Sequence, residues 1–309
     1  MTSRSTTTFP NRHPHMRTSR LAPLLLLAPV LAAAPCGAQQ SRTAPPAERT
    51  TALRGDMMGI LSINGRTEHV WVDTARGIDV RAGGEIALRE HAGDVETIPA
   101  GGYLTVQQRV GSSLHRAEWH PAAGGGVTRS YSVDGERRPF AEARPWLEVF
   151  FPEVLRNSSI GARARFARVL AQRGVAGVLA EAEATQSGSA RQVYLEGLAE
   201  RDMTAAETHG FLRAVSGMRS SSSKRDVLLK TAAKRPLSAD QWAAWLDAAG
   251  SVGSSSDRRE LLRLAVAKHP RGQGLPAGFY HSLDGISSSS DRREVLTGLL
   301  AARGSEPGT

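Results

Sequence analysis

Ala190-Arg191-Gln192-Val193-Tyr194, Lys224-Arg225-Asp226-Val227-Leu228, Arg258-Arg259-Glu260-Leu261-Leu262 and Arg292-Arg293-Glu294-Val295-Leu296 are four versions of one phrase, set at a constant spacing of 34 residues. A fixed period of this size marks stacked units that bury their apolar faces only against neighbours. Each period resolves into two helices. In the first, Phe211, Leu212, Val215 and Met218 recur as Trp245, Leu246, Ala249 and Val252, then as Phe279, Tyr280, Leu283 and Ile286. The i, i+1, i+4, i+7 spacing places each set on one helix face. Thr204 with Glu207 and Ser238 with Gln241 read as capping boxes opening two of these helices, and Leu237 with Trp242 as a hydrophobic staple. The second helix carries Ser189 with Gln192, Ser223 with Asp226, Asp257 with Glu260 and Asp291 with Glu294, a pattern of N-caps and their N3 acceptors. The serine runs at 220–223, 254–256 and 287–290 then serve as flexible turns and a supply of caps.

A 34-residue helix pair invites comparison with the tetratricopeptide repeat, and Pro236 and Pro270 share the period. With those prolines at the boundary, Leu212 and Leu246 fall where that repeat needs a small residue, and Lys224 and Arg258 where it needs alanine. The expectation is a generic helical-hairpin solenoid over 143–309.

Upstream the period changes to two. Ile78-Asp79-Val80, Ile86-Ala87-Leu88, Leu104-Thr105-Val106 and Ala117-Glu118-Trp119 alternate, punctuated by Asn64-Gly65, Gly83-Gly84, Gly101-Gly102, Gly124-Gly125-Gly126 and Asp134-Gly135. Asp134-Gly135, between Val127–Val133 and Glu136–Phe140, is a hairpin signal. Residues 53–142 therefore read as a separate antiparallel all-β domain: a meander, sandwich or small barrel. Trp146, Leu147, Val149, Phe150, Val154 and Leu155 form a first helical stripe, with Pro152 marking the joint between the halves.

Residues 1–38 hold Arg4, Arg12, Arg17 and Arg20, no acidic residue, an apolar run from Leu21 to Ala34, and Cys36-Gly37-Ala38. That is the pattern of a secretory signal peptide, starting at Met1 or Met16 and cut before Gln39. The apolar run is short of the roughly 20 residues a spanning helix needs, so no transmembrane anchor is expected after cleavage. Residues 39–52 read as a disordered linker. Cys36 is the only cysteine. Its loss with the leader leaves no disulfide and no thiolate chemistry. Losing the four leader arginines takes 39 basic residues to 35 against 30 acidic ones, so the formal charge falls from +9 to +5. These features place the protein in a bacterial periplasm or outside the cell, where nucleic acid is no partner.

No stretch carries a catalytic signature. His115, Glu118 and His120 are the densest set of potential ligands, yet on a strand His115 and Trp119 share one face while Glu118 and His120 take the other. Ser221-Ser222-Ser223-Lys224 matches Ser-x-x-Lys, the nucleophile motif of penicillin-recognising enzymes, but the partner repeat at Ser255-Ser256-Asp257-Arg258 lacks the lysine. No metal or cofactor is expected. The candidate binding residues are Arg191, Arg225, Arg259 and Arg293, with Lys224, Arg258 and Arg292. All stand in the first turn of successive helices, the wrong sign for the helix dipole. They form either pairs with Asp226, Glu260 and Glu294 of neighbouring repeats, or a basic strip for an acidic partner.

Ile98-Pro99-Ala100-Gly101-Gly102-Tyr103-Leu104, Val133-Asp134-Gly135 and the Ser/Asp-Arg-Arg-Glu-Val-Leu repeats carry a resemblance over residues 94–304. The chain resembles an uncharacterised family of bacterial exported proteins. It is also similar to the extracytoplasmic tail of membrane metallopeptidases of the beta-lactam-sensor type. The resemblance implies an envelope-sensing or partner-binding module; the zinc motif and membrane helices are absent from the sequence, so peptidase activity is not implied. The reading is a non-catalytic periplasmic scaffold that binds another envelope protein or peptide. A binder of anionic cell-wall or outer-membrane polymer and a hydrolase sited in the β domain are the alternatives.

Overall fold

The computed structural model describes residues 57–63, 66–89, 93–269 and 274–304. The expected signal peptide, the linker, the Asn64-Gly65 turn, His91 and Pro270 lie outside the described residues.

Alternating sequence becomes an antiparallel sheet of β1 (Met57–Ile63), β2 (Arg66–Asp73), β3 (Ile78–Gly83), β6 (Tyr103–Val110), β7 (Ser113–Pro121), β8 (Val127–Val133) and β9 (Glu136–Arg138), neighbours in that order. Between β3 and β6 the chain makes a separate hairpin of β4 (Ala87–Arg89) and β5 (Asp94–Thr97). The topology is a meander. Register explains why one face is apolar: Trp71 lies opposite Val80, Val80 opposite Val106, Val106 opposite Ala117 and Ala117 opposite Tyr131. All five are buried. At the β8–β9 turn, Asp134 and Gly135 have φ of 53° and 86°, the left-handed pair whose twist suits adjoining strands. The Leu114 N–H also donates to Asp134 Oδ1 at 2.8 Å, tying the turn to β7.

A one-faced sheet needs a second layer, and α1 (Arg144–Asn157) supplies it. Leu147, Phe150, Phe151 and Val154 are buried in the same cluster as Val80, Leu104 and Trp119. Trp71 stacks on Phe150 at 6.1 Å, and Trp119 meets Phe151 edge-on at 5.6 Å. The helix runs on through Pro152, so the proline is not the joint. The cluster continues to Ile160, and a division at residue 142 passes through it. Asp94 on β5 fastens the small hairpin. It accepts from Arg129 Nε at 2.8 Å, Trp119 Nε1 at 2.9 Å and the Val95 N–H at 2.8 Å. Burial pushes its carboxyl upward, but those donors outweigh burial and hold it below the ordinary carboxylate range.

Eight helices follow: α2 (Ala162–Ala184), α3 (Gly188–Ala199), α4 (Ala205–Ser216), α5 (Ser221–Lys234), α6 (Ala239–Gly250), α7 (Ser255–Lys268), α8 (Ala277–Asp284) and α9 (Ser289–Gly304). Gly174, at φ 63° and ψ −165°, interrupts α2. Contacts run α2 to α4 to α6 to α8 and α3 to α5 to α7 to α9, with sequence neighbours also touching. The two sets form two rows sharing one apolar cluster. Every member of the three four-residue faces named above is buried except Tyr280. Both capping boxes form, at Thr204 with Glu207 and Ser238 with Gln241.

The caps of the second helices differ from expectation. Ser187, Ser220 and Ser254 cap α3, α5 and α7, accepting from the N–H groups of Ala190, Ser223 and Asp257. Ser288 accepts from the Asp291 N–H at 3.3 Å. Each hydroxyl comes from ahead of the expected cap, so these helices start earlier. Asp257 and Asp291 stand at N3, where they suit the dipole and keep their carboxylates for other contacts.

Candidate functional site

The cations of the repeated phrase, just past the first turn of α3, α5, α7 and α9 now that the caps lie earlier, have two distinct sets of partners. The first set turns to backbone. Arg258 donates through Nε to the Val252 carbonyl at 2.9 Å and through Nη2 to the Gly250 carbonyl at 3.1 Å, and it also reaches Ser282 O. Arg292 repeats this one period on, with Nη2 donating to Asp284 O at 3.0 Å and Ile286 O at 2.7 Å. Lys224 donates to the carbonyl of Ser251 at 2.9 Å and to its Oγ at 3.1 Å. Arg191 reaches Ala182 O at 2.8 Å, Thr185 O at 3.2 Å and Gly217 O at 3.3 Å. All these acceptors belong to the last turns or exits of α2, α4, α6 and α8. The charge opposes the dipole of its own helix but sits on the negative end of another, where the last carbonyls lack intrahelical donors. Burial pulls Lys224 and Arg258 below their ordinary pKa ranges.

The second set runs between hairpins. Arg225 Nη1 meets Asp257 Oδ1 at 2.5 Å, and its Nε lies 3.6 Å from Glu260. Arg259 Nη1 meets Asp291 Oδ1 at 2.7 Å and Glu294 Oε2 at 3.2 Å. Arg263 adds a contact to Glu294 at 2.5 Å. Each arginine thus grips an Asp and the Glu three residues beyond it on the next helix of the row. Arg225 also pairs with Asp226 on its own helix. The serine runs join the same seam, with Ser221 Oγ accepting the Gly253 N–H at 3.1 Å and Ser255 Oγ the Ser287 N–H at 3.1 Å.

Arg293 stands at the matching position of α9. It is exposed, and no carboxylate meets it among the described residues. On the same side of α9, Leu296 is 40% and Leu300 70% exposed. One and two periods earlier, Leu262 and Leu228 are fully buried where Leu296 stands, and Ala232 is buried at the counterpart of Leu300. Tyr280 of α8 is 43% exposed where Leu212 and Leu246 are buried. The sequence pattern points to the arginines but not to this apolar surface. Its signal lay in the alignment of the periods, where Leu296 and Leu300 occupy interior positions.

Comparison with protein-family models, curated proteins and solved structures finds no match.

The remaining chemistry-bearing side chains are dispersed. His115 Nδ1 lies 2.8 Å from the Tyr131 hydroxyl, and its ring packs 5.3 Å from Trp146 under α1. Glu118 is on the opposite face, held by Arg116 Nε at 2.8 Å and by the Ser130 hydroxyl, and His120 is exposed. His69 Nδ1 and Ser159 Oγ, 2.8 Å apart, join β2 to the turn before α2; burial keeps this imidazole below its ordinary pKa. Lys224 donates to Ser251, whereas Ser221 accepts from Gly253, so the Ser-x-x-Lys pair does not converge. Among the described residues no three His, Cys, Asp or Glu side chains gather as a metal site, and no helix is long and apolar enough to cross a membrane. A cavity of about 390 Å³ opens beside Lys234, Arg235, Pro236, Trp242 and Lys268. Nε and Nη2 of Arg235 are buried there without an acceptor among the described residues.

Proposed function

We propose that this chain is an exported, non-catalytic scaffold of the bacterial envelope, binding another envelope protein or peptide through its helical half. That half is a solenoid of 34-residue hairpins following an antiparallel sheet layered by α1. The observation that carries the reading is the exposed side of α9, where Leu296 stands at a position that is buried in both hairpins before it, and Leu300 at one that is half-buried at Val266 and buried at Ala232. Apolar side chains grouped on one helix side and rimmed by charge mark association surfaces. Export rests on the leader pattern of residues 1–38, and the envelope setting on the resemblance to exported bacterial proteins.

Apart from Arg293, the arginine strip is taken up within the fold in this reading. Arg191, Lys224, Arg258 and Arg292 are engaged by helix-end carbonyls, and Arg225 and Arg259 by carboxylates. Attraction to an anionic polymer through that strip loses its basis for the same reason. The placement of His115 and Glu118 on opposite sides of β7 weighs against a hydrolase built from them.

The test is photo-cross-linking in the producing bacterium, with a photoreactive residue at position 300 and, as control, at position 149, where Val149 is exposed on α1. A discrete protein captured from 300 and absent from 149 supports the scaffold. Equal or no capture at the two positions refutes it.

A further inference from the structure

The partner's chemistry follows from the way the row continues itself. At the α5–α7 and α7–α9 steps one second helix presents an arginine and an apolar pair, Arg225 with Leu228 and Ala232, then Arg259 with Leu262 and Val266; at the α3–α5 step Arg191 turns to helix-end carbonyls instead. The next helix answers with an Asp at its third position and a Glu three residues on: Asp257 and Glu260 to Arg225, Asp291 and Glu294 to Arg259. The Asp of each pair sits in the first turn, where the helix dipole also favours negative charge, and the Glu one turn further in. Arg293, Leu296 and Leu300 repeat the presenting side, at i, i+3 and i+7 on one helix face.

We infer that this side of α9 takes an amphipathic helix of another protein whose first two turns carry an acidic pair spaced as Asp-x-x-Glu. The helix lies alongside α9 as α9 lies alongside α7, its carboxylates on Arg293 and its apolar residues over Leu296 and Leu300. Two nearer occupants fail on charge. The segment 39–56 left after the leader has Arg42, Arg49 and Arg54 against Glu48 and Asp56, and offers no Asp-x-x-Glu pair. A second copy stacking head to tail would present α3, which carries Ser189 and Gln192 where the ladder needs acids. This inference rests on the scaffold reading and specifies its partner.

The test titrates the full chain with a labelled peptide of residues 275–304, whose second helix opens with Asp291-Arg292-Arg293-Glu294. The expected result is saturable binding, weakened about tenfold by Arg293→Glu in the full chain. The peptide carrying Asp291→Lys and Glu294→Lys should bind the wild-type chain weakly and the Arg293→Glu chain better than the unmodified peptide does. Arg293 is exposed, so the substitution leaves the fold in place, which circular dichroism checks. Failure of the unmodified peptide to bind, or an affinity indifferent to both charge reversals, overturns the inference. If position 300 still captures a protein, only the acidic-helix partner falls. If capture fails as well, the scaffold reading falls with it.

Discussion

Arg258 and Arg293 are the same residue type one period and one position apart, with opposite consequences. The Arg258 guanidinium is buried and donates to carbonyls at the exit of α6 and in α8. Truncation leaves those carbonyls without donors in an apolar setting, so Arg258→Ala should cost about 2–3 kcal/mol in urea unfolding. Arg293→Ala should stay within about 0.5 kcal/mol, as surface changes do. Equal losses would mean that the two arginines are not divided between fold and surface as described. Asp94 gives a pH test. Its folded pKa is depressed, so its contribution is complete above the unfolded value of about 3.9 and is lost as pH falls through the folded value. Asp94→Asn should therefore be less stable than wild type at pH 7 by about 2 kcal/mol, and the gap should close as pH drops from about 4 towards 2. A gap that stays constant with pH would refute the depressed carboxyl.

At the scale of the element, the serine runs decide where each second helix begins. Ser254 caps α7, so Ser254→Ala should cost about 1 kcal/mol, whereas Ser256→Ala, two residues inside, should cost much less. Thermal unfolding of the two variants separates them, and matched losses would contradict the cap. The apolar faces of α4, α6 and α8 were legible because one helix side buried in one row needs only the 3.6-residue period. The caps of α5 and α7 were misread by a turn because Ser220 and Ser223 both satisfy the local pattern. The choice between them was made by Gln192, which accepts the Ser223 hydroxyl at 2.6 Å from α3. Likewise Pro152 reads as a break in any window of sequence, yet α1 continues through it with its apolar side packed on the sheet. Sequence periodicity names a buried side; it does not name what buries it.

For the whole molecule, the arginine phrase that decides the fold is also the joinery of the row. In the second and third phrases one cation closes the exit of a helix in the other row, and its neighbour binds the next helix of its own row. Partner binding in this account uses the same joinery at its unfilled position, Arg293 with Leu296 and Leu300. The most direct measurement is cross-linking yield from Tyr280 after a copy of residues 275–304 is fused behind Gly304, compared with the native chain. The photoreactive group goes at position 280 because Tyr280 is exposed on α8 and is no part of the ladder. The account predicts that the added hairpin continues the row, raising the melting temperature by several degrees and abolishing capture of the partner. An unchanged melting temperature with undiminished capture would contradict it, placing the partner elsewhere on the chain.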